Sequence, residues 1–249
     1  MNNKIVFPKE FLYSDFEYSN ELKKLVDEYS KTEKSTHFFE IISDDDLNKS
    51  KFINELKKSI NATENNIFIT SGNIYLKQFP WQPFGELLYN FFKLRKDQNL
   101  REKLFKFTKN FKEDMAMQNI YLSELFSKNE DNRKINLNNQ TIFEAFRLFF
   151  LYTSKIKKTI LILENIDNFD ELSLGLLDYL IRTLKNHNVF FVITKKTRFQ
   201  WNPKNIESKK IELKNISEFN ALQILKKITE AEPDENLFKT VYEESKGNF

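Results

Sequence analysis

The sequence predicts an α/β fold in which helices cover both faces of a parallel sheet. Short apolar runs of strand length alternate along the chain with longer runs of helical spacing. Two of the strand-length runs, 159–163 and 189–194, are apolar at nearly every position, which is typical of strands buried on both faces. The alternation favours parallel strands, because a right-handed crossover connection lays each helix back on the sheet.

The first half of the chain supplies two of the predicted strands. In order, the predicted elements are a helix at 21–26, a strand at 38–42, a helix at 52–60, a strand at 67–70, a helix at 84–92 and a helical region at 97–129. The run 66–72, which contains the second strand, ends at Gly72. Pro80 and Pro83 favour a helix start in that region, because proline fits the first turn of a helix.

The second half supplies the other three strands. A polar loop at 130–139 is followed by a helix at 141–152, a strand at 159–163, a helix at 173–184, strands at 189–194 and 210–213, and a helix at 234–245. Ser217 is the predicted N-cap of a further helix before the last one, since a serine side chain accepts a bond from the first free N–H groups. Gly247 is expected to end the last helix.

Composition narrows the classes of function. The 249 residues carry a net charge of only +3 with acids and bases interspersed, which argues against a nucleic-acid-binding surface. The chain has no cysteine, which excludes disulfides and thiol catalysis, and His37 and His187 are too few for a histidine-rich metal site. We find no signal peptide and no apolar stretch of the roughly 18–20 residues that span a membrane, so we expect a cytoplasmic protein.

The segment between the first strand and the next helix has part of a phosphate-binding pattern. It reads Ser43-Asp44-Asp45-Asp46-Leu47-Asn48-Lys49-Ser50. The pattern G-x-x-x-x-G-K-[ST] uses glycines so that backbone N–H groups can turn toward phosphate oxygens. Lys49 and Ser50 match its end, whereas Ser43 and Asn48 stand at the glycine positions. We predict a vestigial nucleotide site at Ser43, Asn48, Lys49 and Ser50, with three aspartates that repel phosphate; a solvated helix start is the alternative.

The strand at 159–163 is followed by Glu164 and Asn165. An apolar strand that ends in acids is the Walker B arrangement, in which the first acid holds Mg²⁺ and a following acid orients the attacking water. Asn165 can hydrogen-bond a water molecule but cannot take its proton. The pair therefore predicts a degenerate catalytic site, and a solvated strand end is the alternative.

Several segments, taken in order, resemble the ATPase domain of STAND proteins, the signal-transduction ATPases with numerous domains. That family includes large ATP-binding LuxR-type regulators and some class III adenylate cyclases. The most specific likeness lies at 161–177, where Asp170, Glu171, Ser173 and Leu174 are in register with the family's "DEASL". Weaker likenesses are 16–22 to "FVGREREL", 80–88 to "LPYQPLRELL", 142–146 to "LFEAL", 211–225 to "LEPLSEEEARALL" and 244–249 to "SEGNPF".

The resemblance implies a three-layer P-loop NTPase-like core with a five-stranded parallel sheet in the order 5-1-4-3-2. It also implies that residues 1–213 form this core and that 214–249 begin a helical lid, which we expect to be truncated because family members continue into further domains. The segment 194–198 resembles the family's "GTYR", which makes Arg198 a candidate phosphate contact and Thr194 or Thr197 a candidate sensor. An exposed basic loop is the alternative interpretation of this segment.

The departures from the family pattern decide the predicted function. Both loop glycines and a Gly-Arg pair near 18–19 are missing, and Asn165 stands in place of an acid. We expect a regulatory or scaffolding interaction module, a pseudo-ATPase with a protein partner or with further domains of its own chain. The alternative is a signalling switch, which includes the cases of a slow ATPase and of a part of a transcription regulator. It would bind ATP or ADP through Lys49, with Ser50 and Glu164 as ligands of Mg²⁺.

The phenylalanines are interpreted as large apolar core fillers, and a partner-binding surface at two pairs of them is the alternative. Phe91-Phe92 and Phe149-Phe150 each place neighbouring rings on a predicted helix. Adjacent helical residues point about 100° apart, so one ring of each pair is expected off the core face.

Overall fold

The computed structural model describes residues 19–31, 37–60, 62–95, 99–126, 138–203, 206–213 and 234–245, together with residues 218, 222 and 226. Its strands are β1 (His37–Ile42), β2 (Asn65–Ser71), β3 (Lys158–Glu164), β4 (Val189–Lys195) and β5 (Lys209–Glu212). Its helices are α1 (Ser19–Lys31), α2 (Asp46–Ser59), α3 (Gln82–Phe91), α4 (Leu100–Thr108), α5 (Ala116–Phe126), α6 (Asn139–Ile156), α7 (Glu171–Thr183) and α8 (Glu235–Ser245).

The five strands form one sheet in the order β2-β3-β4-β1-β5, and all four neighbouring pairs are parallel. Read from the other edge this is the expected order 5-1-4-3-2, so the predicted fold class of a P-loop NTPase-like core is confirmed. Because the strands are parallel, their carboxyl ends all lie at one edge of the sheet, where the loops after β1, β3 and β4 meet.

Each face of the sheet has its own apolar core. Phe68, Leu161 and Phe191 point to one face and pack with buried residues of α3, α6 and α7. Phe39 and Ile162 point to the other face and pack with buried residues of α1 and α2. The alternation of side chains along each strand thus produces three layers, with the sheet in the middle.

The two phenylalanine pairs pack into the core, as the interpretation of core fillers expected, and Phe149-Phe150 does not place a ring off the core face. Phe149 and Phe150 are both fully buried, because α6 is covered by the sheet on one side and by α5 and α7 on others. Phe91 stacks on Phe68 with 3.9 Å between the ring centroids. Phe92 packs edge-on against Phe91 at 5.1 Å. All four rings therefore contribute to the core of this face.

Several element boundaries differ from the sequence prediction. The helical region at 97–129 is two helices, α4 and α5, separated by residues 109–115. Asn138 caps α6, since its side chain accepts a hydrogen bond from the Thr141 N–H at 2.8 Å. Most of the loop predicted at 130–139, and Ser217 and Gly247 in the predicted lid, lie outside the described residues. The division into a core at 1–213 and a lid at 214–249 stays a prediction.

Asp170 fixes the start of α7. Its Oδ1 accepts a hydrogen bond from the Ser173 N–H at 2.8 Å, and its Oδ2 accepts one from the Ser173 hydroxyl at 2.6 Å. Both side chains are buried, so water does not replace these bonds. The Asp170–Ser173 contact is the structural reason for the acid and the serine in the segment that resembles "DEASL".

We expect Asp170→Ala to lower the free energy of unfolding by about 1–2 kcal/mol, because it removes an N-cap bond in a buried setting. Urea titration of the two proteins measures the change. Asp234→Ala changes an exposed aspartate just before α8 and is the control; we expect it to cost less, because water can replace the contacts of an exposed side chain. Equal costs for the two changes would contradict the structural role of the Asp170 cap.

Candidate functional site

The candidate site lies at the carboxyl edge of the sheet, where ligands bind in open parallel α/β sheets. Helix α2 begins at Asp46, six residues before the apolar run that predicted it. Lys49 and Ser50 therefore lie in the first turns of α2, and the prediction that the whole segment 43–50 is a loop is wrong. The physical reason is that Asp46 occupies the first turn of a helix, where a carboxylate interacts favourably with the helix dipole.

The connection between β1 and α2 is reduced to Ser43, Asp44 and Asp45, and two of its three N–H groups donate within the chain. The Ser43 N–H donates to the Lys195 carbonyl at 3.1 Å, and the Asp45 N–H donates to the Ser43 hydroxyl at 3.2 Å. None of the three residues has a positive φ. A phosphate loop needs N–H groups that turn inward, and without glycine this connection does not provide that conformation.

Lys49 is the residue that would contact phosphate, and it faces a carboxylate instead. Its side chain is only 1% exposed, and its Nζ lies 2.8 Å from Oδ1 of Asp46. This contact has the distance of an ion pair but not the angles of a hydrogen bond. Asp46 itself is 63% exposed, so the carboxylate that neutralises the Lys49 ammonium group is open to solvent. An incoming phosphate oxygen would have to compete with it.

Asp44 has a structural role that the sequence does not reveal. Its Oδ1 accepts a hydrogen bond from the Thr197 N–H at 3.0 Å, which joins the loop after β1 to the loop after β4. Asp167, in the loop after β3, also bonds to the loop after β4. Its Oδ1 accepts a hydrogen bond from the Lys196 N–H at 3.3 Å. Two carboxylates therefore hold the loop that contains Arg198, which is itself exposed.

Glu164 faces a cation of its own chain. Its Oε1 lies 3.3 Å from Nζ of Lys57, which comes seven residues after Ser50 and so about 10 Å further along α2. The Glu164 side chain is 14% exposed, whereas Ser50 is half-buried on α2. A divalent cation at Glu164 would have to displace the Lys57 ammonium group before Ser50 and Glu164 could share it.

Asn165 follows Glu164 in the left-handed conformation, with φ 53° and ψ 51°. Its N–H donates to the Thr194 hydroxyl at 2.7 Å, so that hydroxyl holds the backbone of the neighbouring strand end. Gly72 passes close by, and a Cβ there would lie 2.2 Å from the Asn165 carbonyl oxygen. The chain needs glycine at position 72 for this approach. The segment around Asn165 is thus packed from two sides.

Lys51 shows how burial and charge oppose each other at this edge. Burial lowers the pKa of the Lys51 ammonium group, and the nearby Asp45 carboxylate acts in the opposite direction. The aspartates of this segment therefore stabilise cations of α2 as well as repelling anions.

As arranged, the residues of this site do not fit a magnesium–nucleotide complex. Lys49 and Glu164 each face an opposite charge of their own chain, and the N–H groups of Ser43 and Asp45 in the short connection already donate within the chain. In the described ranges, no three histidine, aspartate or glutamate side chains are placed to hold a metal ion. We therefore derive no catalytic step through Mg²⁺ or nucleotide.

Sequence reasoning missed a buried ion pair beside the site. Glu40, in the middle of β1, is fully buried and contacts the Lys195 ammonium group at the end of β4. The Lys195 Nζ also donates to the Trp201 carbonyl oxygen at 3.0 Å. The signal in the sequence was a single charged residue in the apolar run 38–42, since buried charges occur mainly in pairs.

Comparisons with known proteins add likeness of fold only. No family model matches the chain, and no curated protein matches it. Three solved structures are similar: a STAND protein with a tetratricopeptide repeat sensor from Pyrococcus horikoshii (13% identity, TM-score 0.48), Drosophila ORC bound to DNA (12%, 0.49) and RIF2 of Saccharomyces cerevisiae (10%, 0.42). These matches cover 98%, 91% and 93% of this chain and 29%, 55% and 72% of the matched chains. The chain thus spans less than two thirds of the first two, and no activity follows from any of them.

None of the helices in the described ranges is long and apolar enough to cross a membrane.

Proposed function

We propose that this chain is a regulatory or scaffolding module built on a P-loop NTPase-like core, with little or no ATP hydrolysis. The interaction partner is a protein or a further domain of its own chain, as the resemblance to LuxR-type regulators and adenylate cyclases suggests. The proposal rests on the state of the candidate nucleotide site, in which the charges that would bind Mg²⁺ and phosphate are engaged inside the chain.

The ion pair between the buried Lys49 and the exposed Asp46 carries this proposal. Moving a phosphate onto Lys49 would either break the 2.8 Å ion contact or place a second anion beside Asp46. One like charge roughly 4 Å from another costs about 1 kcal/mol in water and about 4 kcal/mol at an effective dielectric constant of about 20. Since Asn165 cannot accept a proton from water, hydrolysis would also lack its base.

A second candidate function is a switch that binds ATP or ADP without rapid turnover. The Asn48 side chain is 5% exposed, and its Nδ2 has no hydrogen-bond partner among the described residues. The Lys49 Nζ likewise lacks a partner with hydrogen-bond geometry. Both are donors beside the N-terminus of α2, where an anion would be stabilised if Asp46 moved away. Ser50, Glu164 and Arg198 would then be the further contacts.

We expect neither MgATP nor MgADP to raise the melting temperature of the protein at millimolar concentration. A ligand at 100 times its Kd adds roughly 2.7 kcal/mol of stability, which a thermal shift measurement detects readily. We also expect phosphate release from MgATP to be no faster than for Lys49→Ala. A clear stabilisation by ADP without turnover would favour the switch. Steady turnover abolished by Lys49→Ala would contradict the pseudo-ATPase and favour a slow ATPase.

A further inference from the structure

The strand β2 forms one border of the sheet, and no described strand pairs with its outer side. The Gly72 N–H donates to the Glu164 carbonyl oxygen at 2.7 Å, which shows that the backbone groups of even-numbered residues in β2 face β3. Backbone groups of successive residues in a strand point in opposite directions. The N–H and C=O groups of Ile67 and Ile69 therefore point away from the sheet.

The two borders of the sheet differ in the protection that they carry. The other border strand, β5, has only four residues, and Lys209, Lys210 and Glu212 are among them. Short edge strands with charged side chains resist pairing with another chain. In contrast, β2 has seven residues, pairs regularly with β3 over its whole length and contains neither a charged residue nor a proline. The border at β2 is thus the one that favours pairing with a further strand.

The Asn90 side chain covers part of this border. Its Nδ2 donates to the Ile69 carbonyl oxygen at 3.1 Å from an exposed position on α3. The N–H and C=O groups of Ile67 have no hydrogen-bond partner in the part of the chain that the structure describes. An outward donor and acceptor in the middle of a regular strand are the groups that an added strand would bind.

The segment that follows β2 exposes apolar side chains. Ile74, Tyr75 and Phe79 are 65%, 83% and 51% exposed, and they are three of the six large apolar side chains that are exposed in the described ranges. The Lys77 Nζ donates to the Asp167 carbonyl oxygen at 2.8 Å, which joins this segment to the loop after β3. Exposed apolar surface next to an unpaired edge strand is typical of a contact between proteins.

We propose that β2 pairs with β2 of a second copy of this chain, antiparallel and about a two-fold axis, so that the two sheets become one. Such an axis places each strand beside itself, so that the outward donors of one copy face acceptors of the other. Equal residues then lie near each other, which an uncharged strand tolerates and a strand with two lysines does not. Ile67 lies close to the middle of β2 and hence close to the axis. The pairing uses no group of the candidate nucleotide site, so it goes beyond the proposed function and is tested independently of it.

Sedimentation velocity of the full chain measures this association. We expect a monomer–dimer equilibrium between about 1 μM and about 1 mM, because small interfaces are weak. Ile67→Pro removes an outward N–H group and no bond to β3, so it should raise the Kd for dimerisation at least about tenfold. Lys210→Pro is the matched control on β5. The Leu213 N–H donates to β1, so Lys210 faces away from the sheet as Ile67 does, and its change should leave the Kd unaltered.

Two charged variants keep the proposal testable if the proline variant fails to fold. Ile67→Lys and Ile67→Glu should each prevent dimerisation, because like charges meet near the axis, and an equimolar mixture of the two should form a heterodimer. Asn90→Ala frees the Ile69 carbonyl and should lower the Kd of the dimer. A chain that stays monomeric at about 1 mM would overturn the proposal and leave another protein as the candidate partner for this border. A dimer that resists Ile67→Pro, or that the mixture of charged variants fails to restore, would overturn it as well.

Discussion

Replacing Glu40 with glutamine should lower the free energy of unfolding by about 3–5 kcal/mol, because it leaves the Lys195 ammonium group as a buried, uncompensated charge. Glu40 is fully buried, and the Lys195 side chain is 7% exposed, so water cannot take the place of the lost carboxylate. Lys195→Met should cost a similar amount for the converse reason, and it also removes the hydrogen bond to the Trp201 carbonyl. Urea titration at neutral pH measures both changes.

The double variant tests whether the two charges act as a pair. With Glu40→Gln and Lys195→Met together no charge stays buried, so we expect most of the lost stability to return. Lys58→Met is the matched control: Lys58 contacts Glu55 at 2.6 Å but is 69% exposed, and such surface pairs contribute about 0–1 kcal/mol. Additive losses in the double variant would show that the pair is not coupled.

The second large effect concerns nucleotide affinity. We expect measurable ATP binding after Asp44, Asp45 and Asp46 are changed to asparagine and Ser43 and Asn48 are changed to glycine. The glycines restore backbone freedom, and the asparagines remove the anions. Neutralising one aspartate removes a repulsion of about 1 to 4 kcal/mol between its carboxylate and a phosphate charge. We therefore expect the combined changes to raise the affinity for ATP at least about tenfold over either set of changes alone. Calorimetric titration with ATP measures the affinities.

The structure indicates which aspartate matters most for this gain. Asp46 neutralises Lys49, whereas Asp44 is bonded to the Thr197 N–H, so Asp46→Asn should contribute more than Asp44→Asn. Changing Glu212, Glu243 and Glu244 to glutamine alters the net charge equally at exposed positions and is the control. Failure of the fully changed protein to bind would show that other contacts close the site, such as the one between Lys57 and Glu164.

The fold was predictable because its strands are apolar runs of strand length. The ends of each predicted strand lie within two residues of the ends of an observed strand, since burial on both faces allows few polar residues. The order of the strands did not follow from spacing; it followed from the resemblance to STAND ATPases. The start of α2 was missed because three aspartates were interpreted as a loop, although acidic residues also favour the first turn of a helix.

The sequence predicted which residues lie at the site, but it did not predict which side chains they contact. Lys49, Glu164 and Asn165 are at the expected edge of the sheet, but their partners are side chains that no local pattern identifies. Lys57 reaches Glu164 from further along α2, and Asp44 bonds to a loop that follows a different strand. The burial of Phe149 and Phe150 was missed for a related reason: helical periodicity predicts one covered face, and α6 has several.

The position of β1 within the sheet has a consequence for how the chain folds. β1 pairs with β4 and β5, yet β2, β3 and most of the helices come between these strands in the sequence. During synthesis, the apolar segment 38–42 would therefore leave the ribosome long before its neighbours exist. Contacts between such distant segments slow folding, and an unpaired apolar strand promotes aggregation meanwhile. Only after β4 and β5 have emerged can β1 enter the sheet.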